Sequence, residues 1–271
     1  MIGFFLRKSL YDIWDNMLRI VLINLGFVVI TAIPTFLPRL AAKFIDSQAL
    51  EIGLSAFGIL LCSVYLAAAA HSLKSISDYG SFSFSDFLDN LKKTWPAGIA
   101  MGLLLFVLFI VVTIVLPFYM GIESPAGLVL AAIVFWTTFF ALLSFQFYFT
   151  VCARLAAPAE SEKRLSGKNL IKAFKKCMLI SLDNSGFAFF LLLHNIAAMI
   201  LSLLFVFMFP GPAGILLYLD EALRLRLLKY DWLEANPGAD RRKIPWDALL
   251  IEEREKVGSR TIKNFIFPWK D

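Results

Sequence analysis

A chain of 271 residues that is 59% hydrophobic and 17% charged carries more apolar surface than a water-soluble core can take up. Soluble domains run at about 45–50% apolar and about 25% charged residues. A mean hydropathy of +0.74 therefore points to lipid as the solvent, and the net charge of +5 has to be read from where the basic residues lie, not as a sign of nucleic-acid binding.

The first residues carry Arg7, Lys8, Asp12 and Asp15 with no small-residue cleavage site after a short apolar core, so no cleavable signal peptide is expected. About 20 apolar residues are needed to cross the hydrocarbon layer. Five blocks meet this: Leu18 to Leu37, Ile52 to Leu73, Trp95 to Pro117, Ala126 to Cys152, and Ser185 to Phe209. After Pro210-Gly211-Pro212 a sixth apolar run begins, meets Asp220-Glu221, and continues as Ala222-Leu223-Arg224-Leu225-Arg226-Leu227-Leu228. With six crossings, 24 of the 26 Lys and Arg residues fall on one side and 2 on the other. Basic residues are retained on the cytoplasmic side. The expectation is an all-α membrane protein of six transmembrane helices, with both termini cytoplasmic in a bacterial inner membrane.

Amphipathic stretches precede the odd-numbered spans: Leu10 to Met17, Phe84 to Thr94 and Leu170 to Met178. Each has apolar residues at i, i+1 and i+4, which suits a helix lying at the membrane surface. Matched positions are 77 and 83 residues apart, so the chain reads as three repeats of interfacial helix plus transmembrane hairpin. The alternative is that any interfacial helix entering a membrane looks this way. Residues 1–228 form the six-span domain and 229–271 a cytoplasmic helical tail. In the tail, a helix over Ala248 to Lys256 is closed by Gly258.

Asn24 within the first span, Pro34 closing it and Ala41-Ala42 after it resemble the start of the YesL-like bacterial membrane proteins. Phe84-Ser85-Asp86-Phe87-Leu88, followed by Leu91-Lys92-Lys93, is similar to that family's cytoplasmic segment. The likeness runs from Met17 to Leu228, and the ending Phe267-Pro268-Trp269-Lys270 departs from the pattern. The resemblance implies an integral membrane protein without assigned activity that accompanies carbohydrate uptake systems.

Chemistry is sparse. There is no HExxH, GxSxG or Walker-type loop, and Cys62, Cys152 and Cys177 have no metal-ligand spacing. They read as small buried or interfacial residues, and no cofactor, metal or catalytic residue is expected. The candidate polar site is intramembrane: His194 and Asn195 on span five facing Asp220, Glu221 and Arg224 on span six. Ionisable groups within a span face the bundle interior and find partners. The competing reading has these charges snorkel to the interface. Gly98 and Gly102 form a GxxxG suited to close helix approach.

The tail gathers Trp246, Phe265, Ile266, Phe267 and Trp269 as a candidate docking segment, for this protein's own helices or for a membrane or cytoplasmic partner protein. The bilayer is the other expected partner, and nucleic acid is not one. The function expected is a non-enzymatic accessory or interaction component of a membrane transport system. The alternative is an independent transporter or facilitator of a small neutral or lipidic solute.

Overall fold

The computed structural model describes residues 1–45, 47–155, 167–241 and 243–258, and within these every regular element is helical. The helices are α1 (Ile2–Asp15), α2 (Met17–Ala42), α3 (Gln48–Ser77), α4 (Phe84–Ile110), a π segment (Val111–Val115), α5 (Leu116–Met120), α6 (Pro125–Phe145) and α7 (Tyr148–Leu155). Then come α8 (Gly167–Asp183), α9 (Ser185–Leu204), α10 (Gly211–Ala235), α11 (Trp246–Leu249) and α12 (Ile251–Val257).

Five continuous helical stretches are long and apolar enough to cross a membrane: Met17–Ala42, Gln48–Ser77, Phe84–Met120, Pro125–Leu155 and Ser185–Leu204. Helix α10 has the length, at 25 residues. It lacks the composition, because Asp220, Glu221, Arg224 and Arg226 fall within its first 18 residues. The expected sixth span is therefore of another kind from the first five. Instead of presenting an apolar face to lipid, α10 is buried on nearly every side from Gly211 to Arg226.

Local chemistry sets the boundaries. Ser47, Ser83 and Ser124 each accept a backbone N–H at the start of a helix, and Ser83 with Asp86 forms a reciprocal capping box. The amphipathic stretches are helical, as expected, but they join their spans differently. Asn16 and Asn184 each leave the helical φ/ψ region and donate from the side chain to the carbonyl four residues back, Asp12 and Ile180. These two breaks separate α1 from α2 and α8 from α9. In the second unit, Phe84 to Thr94 continues into the span without a break, with Pro96 inside the helix. The first and third joints are thus alike and the second is not.

Helices α3 and α4 pack most closely. A Cβ on Gly98 would strike the Val64 backbone, and one on Gly102 would strike Leu60, so the GxxxG is used as expected. Ala67, Ala68, Ala69 and Ala70 on α3 are all essentially inaccessible, which lets α4, α7 and α10 approach the same helix. The core lies at one end of the bundle, around Phe5, Ile13, Ile20, Leu73, Tyr148, Leu191, Leu217 and Leu223. Towards the other end α2, α3, α4 and α6 run on alone, and no described residue between Leu25 and Phe57 is buried. Cys152 and Cys177 are buried and Cys62 half-buried, all as free thiols.

The start of α10 is fixed by two side chains. Asn24 Nδ2 donates to the carbonyls of Met208 (3.0 Å) and Pro210 (2.8 Å), while Asn24 Oδ1 accepts from the Ala213 N–H (2.8 Å). Ser202 Oγ accepts from the Gly211 N–H at 2.9 Å. Gly211 has φ +61°, and a Cβ there would overlap the Asn24 amide. A non-glycine residue in that conformation costs about 1–2 kcal/mol before any displacement of Asn24. Gly211→Ala should therefore lower the melting temperature in detergent by several degrees. Gly186→Ala, where a Cβ meets nothing within 4 Å, should leave it unchanged or raised.

Candidate functional site

The amphipathic pattern of α1 explains how charge reaches the interior. Ile2, Leu6, Leu10 and Trp14 form an exposed apolar stripe, which turns Phe5 inward onto α9 and Lys8, Ser9 and Ile13 inward onto α10. Helices α1 and α10 run antiparallel. Ile13 lies against Gly214, Ser9 against Glu221 and Met1 against Arg226.

Two buried carboxylates on α10 organise the site. Glu221, 2% exposed, accepts from Lys8 Nζ at 3.2 Å and from Ser9 Oγ at 2.9 Å. Lys8, itself 3% exposed, also donates to Asp12 and to the Ser77 carbonyl at the end of α3. Asp220, at 0% exposure, accepts from Nε and Nη2 of Arg154 on α7, one bond to each carboxylate oxygen. Such a fork adds geometric specificity to charge. Arg154 reaches further, to Ser77 Oγ (2.7 Å) and to Asp78 Oδ1 (3.2 Å).

The third charge, Arg224, donates to the Ser77 carbonyl and to Glu253 of α12 (2.8 Å), and lies 3.4 Å from Asp78. Tyr79 stands at the centre, in the left-handed region at φ 62°. Its ring lies under Lys8 Nζ (4.5 Å) and Arg224 (4.8 Å), and its hydroxyl donates to Glu253 at 2.7 Å. Burial, and then the bond to Glu253, push the Tyr79 phenol well above its ordinary range. The network joins α1, the end of α3, α7, α10 and α12. Three cations face five carboxylates, Asp12, Asp78, Asp220, Glu221 and Glu253, and hydroxyls and cation–π contacts supply the rest.

A second cluster lies further along α10. Lys229 donates to Asp183 (2.8 Å) and to Asn184 Oδ1 (3.0 Å), and the Tyr230 hydroxyl donates to Asp183 (2.9 Å). Lys229, with Tyr230, holds the Asp183 carboxyl below the usual carboxylate range. Arg226 stacks 3.8 Å from the Phe187 ring centre and 5.6 Å from that of Trp246. Trp246 and the fully buried Leu250 thus dock on this protein's own helices. Phe265, Ile266, Phe267 and Trp269 lie outside the described residues.

The expected site is divided. Asp220, Glu221 and Arg224 do point inward, but they meet α1, α7 and α12 instead of α9. Asp220 does not pair with Arg224 one turn along α10; an α7 guanidinium, Arg154, reaches it from outside the helix. His194 lies among rings, 4.6 Å from Tyr218 and 5.8 Å from Phe5. Asn195 only grazes Gln146 Oε1, at 3.5 Å. Sequence reasoning missed Lys8, Ser9, Asp12, Ser77, Tyr79, Arg154 and Glu253. Lys8 lies on the face of α1 opposite the Leu6–Leu10–Trp14 stripe, and nothing in the sequence marks that face as the inward one. No signal within one chain marks Arg154 as the partner of Asp220.

No group of three or more His, Cys, Asp or Glu residues capable of holding a metal occurs among the described residues. Comparison with protein-family models, curated proteins and solved structures gave no match. The resemblance to YesL-like proteins accordingly gains no support from them.

Removing one partner of a buried ion pair leaves an uncompensated charge and costs about 3–5 kcal/mol. Arg154→Ala should be strongly destabilising in a detergent melt. Lys92→Ala, which breaks only an exposed pair with Asp89, should shift stability by less than about 1 kcal/mol. The Asp183 pairing predicts acid sensitivity. Its pKa is depressed on folding, so its contribution is present above the unfolded value of about 3.9 and is lost as pH falls below it. Asp183→Asn should be less stable than the parent near pH 7, and the gap should narrow as the pH falls below about 4.

Proposed function

We propose that the chain is a non-enzymatic integral membrane protein that serves as an accessory or interaction component of a membrane system. In this reading it sits in a bacterial inner membrane with both termini in the cytoplasm. The observation that carries it is the ionic network. Helices from the beginning, middle and end of the chain are fastened at one end of the bundle by charges that find their partners within the protein. A substrate path would leave some of that polarity facing an open channel. Here it is closed by Tyr79 and by the C-terminal helix α12, through Glu253. Such a rigid face suits recognition. The concentration of basic residues on the network's side supports a cytoplasmic position. The YesL-like resemblance would associate the protein with carbohydrate uptake.

A second reading, a facilitator of a neutral or lipidic solute, draws on one feature. An apolar cavity of about 420 Å³ lies between α2, α3 and α4, lined by Pro34, Gly58, Cys62, Leu66, Leu105 and Phe109 among others. Two experiments separate these readings. Purification in mild detergent should yield a stoichiometric membrane partner, and loss of α11–α12 by truncation after Ile244 should release it. Protein reconstituted alone in liposomes should give no solute flux above empty vesicles. Flux by the isolated protein, with no partner retained, would favour the facilitator.

A further inference from the structure

We infer that α9 and α10 form a re-entrant hairpin, entering the membrane and leaving it on the same side, so that neither helix crosses. The Asn24 clamp fixes the depth of the hairpin tip. Asn24 is the eighth residue of α2, which continues 18 residues further to Ala42, or about 27 Å at 1.5 Å per residue. Helix α3 provides a second measure. Tyr65 donates to the Ile23 carbonyl at 2.7 Å, at the level of the tip, and α3 extends from there back to Gln48, about 26 Å away.

Helix α6 gives a third. Gln146, just past its end, bonds the Ala188 carbonyl of α9 and meets Asn195 at 3.5 Å. From Asn195 α9 advances to its end at Leu204, about 14 Å, whereas α6 reaches back to Pro125, about 30 Å. All three place the tip roughly 15 Å or more short of the far loops, Lys43–Ser47 and Gly121–Ser124.

The composition of the tip agrees independently. The far loops contain Lys43, Ser47, Glu123 and Ser124, as turns in water do. The hairpin turn reads Phe205-Val206-Phe207-Met208-Phe209-Pro210, without a polar side chain. Leu204 is 77% exposed, Phe205 51% and Val206 67%, so the tip presents apolar surface outward. Non-helical backbone is tolerated at membrane depth only where its polar groups find partners in the protein. Asn24 and Ser202 supply them, satisfying the Met208 and Pro210 carbonyls and the Gly211 and Ala213 amides. A turn exposed to water would need no such cover.

No Lys or Arg lies between Ser185 and Tyr218, so four crossings plus a re-entrant hairpin give the same 24-to-2 distribution as six crossings. Charge bias alone could not separate the two. The arrangement also confines Asp220, Glu221 and Arg224 to the side on which the termini lie.

Single cysteines test this, placed on a background with Cys62, Cys152 and Cys177 replaced by alanine and shown to keep the parent's melting behaviour. Glu123→Cys marks the far loop, and Phe205→Cys and Leu204→Cys mark the tip. A membrane-impermeant maleimide is applied to sealed vesicles of each orientation. Glu123→Cys should label from one side only. Both tip variants should label at least tenfold more slowly than Glu123→Cys from that side, reacting from the opposite side or only after detergent is added. Labelling of either tip variant from the Glu123 side, within tenfold of the Glu123→Cys rate, would overturn the re-entrant assignment.

Discussion

Asp220 and Glu221 cannot be left alone in a core that admits almost no water, and that constraint shapes the packed end of the bundle. An isolated carboxylate moved into such surroundings is costly enough that it must be paired and hydrogen-bonded or else neutralised. Adjacent on α10, the two acids point to different neighbours and recruit different cations, Arg154 from α7 and Lys8 from α1. Each recruitment fixes a helix. Arg154 ties α7 to the end of α3 through Ser77 and Asp78. Lys8 holds α1 to the same corner through the Ser77 carbonyl. Tyr79 follows immediately, in a left-handed conformation, and lays its ring beneath the cations that the acids have drawn in.

The ends of α10 are treated differently, for reasons of solvent. At its start the backbone turns where the surroundings are apolar, so a side chain from α2 must complete the hydrogen bonds. Asn24 does this for three backbone groups at once. Toward its other end the helix becomes wetter, and Lys229 and Tyr230 can share the half-exposed Asp183 with each other. A helix that carries both apolar and charged residues therefore sits at the centre of a membrane-type bundle, with its charges met by Lys8 of α1 and Arg154 of α7.

Much of this architecture is legible in the sequence because lipid imposes simple rules. Long apolar blocks give α2, α3, α4, α6 and α9, and three serines mark helix starts. The period of α1 shows an amphipathic helix. What could not be read was which face of α1 is inward. Ile2, Leu6, Leu10 and Trp14 look like a core stripe in a soluble protein, yet here they face outward and Lys8 goes in. Hydropathy counts Gly211 to Leu219 as the first half of a crossing, because it does not register that Asn24 stops the hairpin partway. His194 and Asp220 are close in expected depth, but rotation about the helix axes separates them, and no linear pattern encodes that rotation.

The central claim is that the charges of α10 act as a lock, with binding energy held between specific partners and not spread over a hydrated path. A double-mutant cycle on Arg154 and Asp220 tests it most directly, using Arg154→Met, Asp220→Asn and the combination, with unfolding followed in one detergent. Residues in contact within one ion-pair network show coupling of about 0.5–3 kcal/mol. For a fully buried fork the account predicts a value near the top of that range, with the double variant more stable than the sum of the single losses implies. Additive losses, with coupling below about 0.5 kcal/mol, would mean that the two groups are independently solvated, and would contradict the lock.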